Sequence, residues 1–237
     1  MLIYPAIDLY GGKAVRLYKG DYAQMTVYND NPVEVAKDFA ACGATRIHLV
    51  DLEGAKNGTT PNFETVTAIK AQTGLFCEIG GGIRNMDTID RYLAAGVDRV
   101  ILGTAAVTEP GFAEQAVAKY GEKIAVGIDI RDGFVAIKGW TEKSEENALD
   151  FSEKMQNIGV KTLICTDISK DGAMQGTNHD LYRELSQQFD MNIIASGGVS
   201  SMDDVERLSK LDIHGAIVGK AYYTGAIDLK KAIEVAK

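Results

Sequence analysis

A chain of 237 residues, 46% apolar and 24% charged, has the balance of a globular protein and enough length to bury a core without disulfide or metal staples. A net charge of −8 with no basic block argues against nucleic acid as the partner, and no apolar run approaches the about 18 residues of a membrane span. Cys42, Cys77 and Cys165 are isolated and read as reduced, buried cysteines of a cytosolic protein, and residues 1–7 lack the basic start of a signal peptide. Glycine stands out at 25 residues while proline numbers only 4, so the excess serves local purposes rather than disorder.

In chain order the pattern predicts strand 2–7, helix 32–42, strand 45–50, helix 62–72, strand 75–79, helix 86–95, strand 97–102 and helix 109–119. It continues with strand 123–128, helix 144–157, strand 160–165, helix 179–189, strand 191–195, helix 202–211, strand 213–218 and helix 226–236. The strand runs are rich in Ile, Val and Leu without polar alternation, as in a parallel sheet covered on both faces. In 86–95, Ile89, Tyr92 and Leu93 form one apolar stripe, and Pro32 and Pro110 stand near helix starts. Eight strand–helix pairs in this length predict a single (β/α)8 TIM barrel over 1–237. An open doubly wound sheet would place a GxGxxG turn after the first strand, where this chain has Asp8-Leu-Tyr-Gly-Gly-Lys13.

The chain also repeats. A register of 116 residues pairs Gly81-Gly82 with Gly197-Gly198, Asp51 with Asp167, Asn62 with Asn178, Met86-Asp87 with Met202-Asp203, Gly103 with Gly219 and Ala105 with Ala221. Near the start of each half the register is 121, pairing Ala6-Ile7-Asp8 with Gly127-Ile128-Asp129. Such a period is too long for a solenoid and predicts two fused half barrels.

Glycine turns follow strands in matching places: Gly80-Gly81-Gly82 and Gly103-Thr104 in one half, Ser196-Gly197-Gly198 and Gly219-Lys220 in the other. Glycine lets backbone N–H groups close on an oxyanion, and barrel loops after strands seven and eight often bind phosphate. With Arg84 and Lys220 as cations, two such turn sets predict a small substrate with a phosphate at each end. Asp8 and Asp129 close strands one and five, which face each other across an eight-stranded barrel; two carboxylates there form a candidate acid–base pair. Asp51 and Asp167, with Thr166 and Asp171 beside the latter, either hold a substrate hydroxyl or brace loops. His48 reads by default as a structural histidine, and the three histidines are too scattered for a metal site. Trp140, the sole tryptophan, lies on a long loop of the active face and is a candidate lid for a planar ring.

At this point the chain resembles the phosphoribosylformimino-5-aminoimidazole carboxamide ribotide isomerase family of histidine biosynthesis over essentially its full length. The resemblance is carried by Pro5-Ala-Ile-Asp-Leu9, Gly12-Lys-Ala-Val-Arg-Leu17, His48-Leu-Val-Asp-Leu52, Gly80-Gly-Gly-Ile-Arg84 and Gly127-Ile-Asp-Ile-Arg131. Gly139-Trp140, Thr166-Asp167, Ser196-Gly-Gly-Val199 and Gly219-Lys220 complete it. It implies an Amadori rearrangement of a bis-phosphorylated aminoaldose to an aminoketose, with Asp8 as general base, Asp129 as general acid and no metal or organic cofactor. It also implies supporting polar roles for Thr166 and Asp171 and mobile-loop contacts from Arg84 and Trp140. Arg16 and His48, within these motifs, join the expected substrate contacts. An ordinary aspartic acid, at about 3.9, is too acidic to donate a proton at neutral pH, so Asp129 is expected to be raised in the liganded, water-poor site. The alternatives are the sister cyclase of the pathway, a dual isomerase also acting on phosphoribosylanthranilate, and a non-catalytic phosphosugar-binding barrel. A cytoplasmic monomer without a membrane or nucleic-acid partner is expected.

Overall fold

Among the described residues twelve strands carry the architecture: β1 (Leu2–Tyr10), β2 (Lys13–Tyr18), β3 (Asp21–Asn29), β4 (Arg46–Asp51), β5 (Phe76–Gly80), β6 (Arg99–Leu102), β7 (Ile124–Arg131), β8 (Phe134–Ile137), β9 (Glu142–Asn147), β10 (Thr162–Asp167), β11 (Asn192–Ser196) and β12 (Gly215–Val218). This is a computed structural model that describes residues 1–137, 139–140 and 142–237. β1, β4, β5, β6, β7, β10, β11 and β12 pair in parallel in that order, and β12 closes back onto β1. The closed ring is the barrel expected from the eight apolar runs.

The helices are α1 (Pro32–Ala41), α2 (Leu52–Asn57), α3 (Phe63–Thr73), α4 (Met86–Ala94), α5 (Thr104–Thr108), α6 (Phe112–Tyr120), α7 (Ala148–Asn157), α8 (His179–Gln188), α9 (Met202–Ser209), α10 (Lys220–Tyr223) and α11 (Leu229–Val235). Several begin on a side-chain cap, among them Asn85 for α4 and Ser201, with a capping box, for α9. Each such cap is worth about 1 kcal/mol. No helix among the described residues is long and apolar enough to cross a membrane.

Alternation along each strand separates two cores. Ile47, Leu49, Cys77, Ile79, Val126, Ile128, Leu163 and Cys165 join the large cluster with the helices. Tyr4, Ala6, Ile101, Ala125, Ile164, Ile194 and Ile217 form a smaller cluster that lines the lumen. Burial pushes the Cys77 thiol up to about 12 and raises that of Cys165 as well, which makes both inert. Cys42, expected buried, is only half-buried at the C-terminus of α1.

Two expectations need correction. Strands one and five do not end at their aspartates; β1 and β7 run on and fold back as the hairpins β1–β2–β3 and β7–β8–β9. Their first turns, Gly11-Gly12 (φ 57° and 74°) and Asp132-Gly133 (φ 52° and 79°), have both central residues left-handed, as two-residue hairpin turns require. The helix expected over 144–157 begins only at Ala148. Ser144 belongs to β9, where its hydroxyl donates to the Val135 carbonyl at 2.7 Å, and Asn147 caps α7.

Candidate active site

Each half barrel contributes one aspartate in the same structural register. Asp8 stands opposite Val15 in the β1–β2 pairing, and Asp129 stands opposite Ala136 in β7–β8. Alternation turns both toward the lumen at the end where the strands give way to their hairpins. The register of 121 residues seen in the sequence is thus reproduced in the pairing.

Their surroundings differ. Asp8 Oδ1 lies 3.0 Å from the Arg16 guanidinium, which also donates to the Ala6 carbonyl at 3.0 Å. Arg16 is wedged against Gly219, where an added Cβ would fall 2.4 Å from Nη2, and lies 5.7 Å from the Tyr223 ring centroid. Its Nε is buried with no hydrogen-bond partner among the described residues. Among the described residues no ion pair holds Asp129 as Arg16 holds Asp8. Burial raises its pKa above the ordinary carboxylate range, against the Trp140 and Thr166 side chains that hydrogen-bond to it and a weaker pull from His48. Asp171 faces both: burial lifts it to about 6, opposed by Arg16 and Lys220 and assisted by Asp8 and Asp129.

Two hairpin ends meet at the mouth. Trp140 sits at φ 72°, unusual for a bulky residue, with its ring so close to Gly20 that a Cβ there would fall 2.4 Å from it. The loop after β10 packs on the first hairpin, where a Cβ on Gly172 would fall 3.0 Å from the Leu17 carbonyl, and Lys220 Nζ donates to the Gly172 carbonyl at 3.0 Å. Thr166 is paired directly across from Asp129. His48, on β4, is held by Glu78 at 2.6 Å.

The glycine turns are alike in both halves. Gly81 and Gly82 have φ 100° and 78°, and Gly197 and Gly198 have 89° and 78°. A Cβ on Gly81 would strike the Asp51 carbonyl at 2.2 Å, and one on Gly197 would strike that of Asp167 at 2.7 Å, so only glycine fits. Gly103 (φ −102°, ψ −115°) and Gly219 (φ −106°, ψ −105°) open the short helices α5, which begins at Thr104, and α10, which begins at Lys220. Ser196 closes β11 just before its turn.

Of the two roles open to Asp51, the structure shows the brace. It is fully buried, accepting from Gly54 N at 2.8 Å, Asn62 N at 3.1 Å and Asn62 Nδ2 at 2.8 Å. Asp167 does the same through Asn178 Nδ2 at 2.8 Å and Ser169. Arg84 rests on α2, donating to the Ala55 carbonyl at 3.1 Å. Sequence reasoning passed over Glu78 and Arg99, charged residues inside apolar runs and now buried in the lumen. It also passed over Tyr223, whose hydroxyl donates to the Ala6 carbonyl at 3.0 Å. A Glu within Phe76-Cys-Glu-Ile-Gly80 was the available signal for the first of these.

The geometry has parallels among known proteins. Residues 2–228 match a family described as histidine biosynthesis protein. A protein of Lactococcus lactis subsp. lactis is 55% identical over 233 residues, covering 98% of both chains. One of Brachyspira hyodysenteriae is 50% identical over 237 residues, covering all of both. One of Listeria monocytogenes serotype 4a is 48% identical over 235 residues, covering 99% of this chain and 98% of its own. All three are named 1-(5-phosphoribosyl)-5-((5-phosphoribosylamino)methylideneamino)imidazole-4-carboxamide isomerase. With the family match spanning nearly the whole barrel and identities near one half, this chain belongs to the histidine biosynthesis protein family.

Proposed function

We propose that the protein is the isomerase its relatives are named for. It would carry a bis-phosphorylated N-formimino aminoaldose to its aminoketose by an Amadori rearrangement. The observation that carries this reading is the pair Asp8 and Asp129, equivalent in register yet set in opposite electrostatic surroundings. Asp129, raised by burial, holds a proton to give to the ribose ring oxygen as the C1–O bond breaks and the amine nitrogen forms an imine at C1. Asp8 then removes the proton from C2 of this protonated imine; the C–H pair becomes the C1–C2 double bond and the C1–N π pair returns to nitrogen. Transfer of the hydroxyl proton from O2 and protonation at C1 complete the ketone. The oxidation at C2 balances the reduction at C1 within one molecule, so no external oxidant is called for.

The two glycine turn sets, Gly81-Gly82 with Gly103-Thr104 and Gly197-Gly198 with Gly219-Lys220, are the proposed grips for the two phosphates. They leave the reacting carbons between them, beneath Trp140. Arg16, Thr166, Asp171, His48, Ser196 and Arg84 complete the proposed contacts, Arg84 after leaving its rest on α2. The same reading includes a cytoplasmic, monomeric protein. The test is turnover of the purified aminoaldose by this chain alone. Conversion without ammonia or a partner protein supports the isomerase. Activity only on the ketose, with ammonia supplied, would replace it with the cyclase.

A further inference from the structure

The lumen beneath the proposed acid contains a charged column. Glu78 on β5 is fully buried; its Oε1 lies 2.6 Å from His48 Nδ1, and its Oε2 accepts from Arg99 Nε at 2.9 Å and from Arg99 Nη2. Arg99 donates onward to Thr162 Oγ1 at 3.1 Å and Tyr4 Oη at 3.2 Å. Stability does not call for this arrangement. Buried ion pairs replaced by apolar side chains of similar volume leave proteins as stable or more so. The barrel itself makes the point: the positions equivalent to His48, Glu78 and Arg99 in the second half are Ile164, Ile194 and Gly215, and both isoleucines belong to the apolar lumen cluster.

What the column does fix is one ring. His48 and Arg99 hold the Glu78 carboxyl below the usual carboxylate range in spite of its burial. As a carboxylate it only accepts, so the proton in the 2.6 Å contact belongs to His48 Nδ1. Nε2 is then the ring nitrogen directed away from Glu78. The His48 side chain keeps 12% exposure where Glu78 has none.

We propose that Glu78, backed by Arg99, is a positioning residue for the rearrangement, fixing His48 as the Nδ1–H tautomer with Nε2 as the acceptor on the ring edge turned away from Glu78. The proposal rests on Asp129 as the general acid. In the neutral ring Nε2 accepts a hydrogen bond from a substrate hydroxyl. As the O2 hydroxyl becomes the ketone its proton passes along that bond to Nε2, and the charge of the ring is met by Glu78 at Nδ1. This is the logic by which a carboxylate sets the tautomer of a working histidine.

The experiment has two readouts on the full-length protein. With only three histidines, long-range proton–nitrogen correlation spectra of the substrate-free protein can be assigned using His48→Gln. A protonated His48 Nδ1 is expected; a bare Nδ1 would overturn the proposal, because Glu78 would then hold the proton. For kinetics, Glu78→Gln alone would strand the Arg99 charge, so both are changed together. Glu78→Leu/Arg99→Met should keep its melting temperature near that of the wild type and lose about 10–100-fold in kcat, with KM changed by less than about threefold. Glu78→Gln/Arg99→Met, whose amide oxygen still accepts from Nδ1, should recover most of that loss. A folded Leu/Met variant with wild-type kcat, or a folded Gln/Met variant no better than it, would overturn the proposal. A wild-type protein that does not turn over the aminoaldose would instead overturn the Asp129 reading, leaving the tautomer result standing.

Discussion

The two halves of this barrel share a backbone and differ in what surrounds one carboxylate. Asp8 and Asp129 occupy the same place at the head of their hairpins. In the first half the hairpin contributes Arg16, whose guanidinium lies on Asp8; the equivalent residue of the second half is Ile137. In the second half Thr166 and Trp140 reach Asp129; their equivalents are Val50 and Lys19. Lys19 and Trp140 even share a left-handed backbone, at φ 48° and 72°. The glycine turns, by contrast, are nearly superimposable in their dihedral angles. A symmetric frame would suit the proposed substrate with two similar ends, and the two carboxylates differ where the proposed acid must differ from the proposed base.

The largest expected effect comes from deleting either side of that contrast. Asp8→Asn and Asp129→Asn should each lower kcat by about 10²–10⁴-fold while leaving the melting temperature close to that of the wild type. Retained turnover in either folded variant would remove that residue from its role. A sharper test makes the halves alike. Ile137→Arg places a guanidinium at the Asp129 hairpin position, and an adjacent cation lowers a carboxylate by about 1–3 pKa units. Asp129 would then lose its proton at lower pH, the alkaline limb of the kcat profile would move down, and turnover at pH 7.5 would fall about tenfold or more. An unmoved limb in a folded variant would break the claimed link between surroundings and role.

Replacing Thr166 by the residue of the other half gives a smaller effect of opposite sign. Its hydrogen bond lowers the Asp129 pKa, so Thr166→Val should raise it and carry the alkaline limb to higher pH. A lost hydrogen bond of about 1 kcal/mol corresponds to less than one unit, with a several-fold change in kcat. A shift of the limb to lower pH would contradict the assigned environment.

How much of this the sequence discloses depends on the range over which each feature is encoded. The barrel was legible because eight apolar runs of even spacing report burial on both faces, a property local to each run. The glycine turns and the 116-residue register were legible because glycine at positive φ leaves a signature in single residues. The hairpins carry their signal in Gly11-Gly12 and Asp132-Gly133, but the polar composition of β3 and β9 gives no apolar pattern to extend it. Asp51 could not be assigned in advance, because its partners Gly54 and Asn62 are local in sequence while its complete burial is a property of the packed loop. The pairing of Glu78 with Arg99 was illegible for a related reason: it is made across neighbouring strands, 21 residues apart.

Asp171 offers the gentlest test, because its effect is on stability and its sign is unusual. Its counterpart in the first half is Ala55, so a third carboxyl has entered the mouth on one side only. Burial and the charges of Asp8 and Asp129 set it at about 6 in the folded protein. Unfolded, an aspartate titrates near 3.9. The folded state thus holds the proton more tightly, and stability contributed by the protonated form is lost as pH rises through the window from about 4 to about 6. Above it the ionised Asp171 burdens the fold by a constant amount. Asp171→Asn, which keeps the shape without the charge, should accordingly stabilise the protein at pH 7.5 by about 1–2 kcal/mol after allowance for solvent screening. In a chain of this size that is a rise of several degrees in melting temperature, and the gain should vanish near pH 4. Thermal melts of both proteins at the two pH values decide it. An equal rise at both would mean that the gain comes from packing rather than charge, and a fall at pH 7.5 would mean that Arg16 and Lys220 outweigh the two aspartates that Asp171 faces.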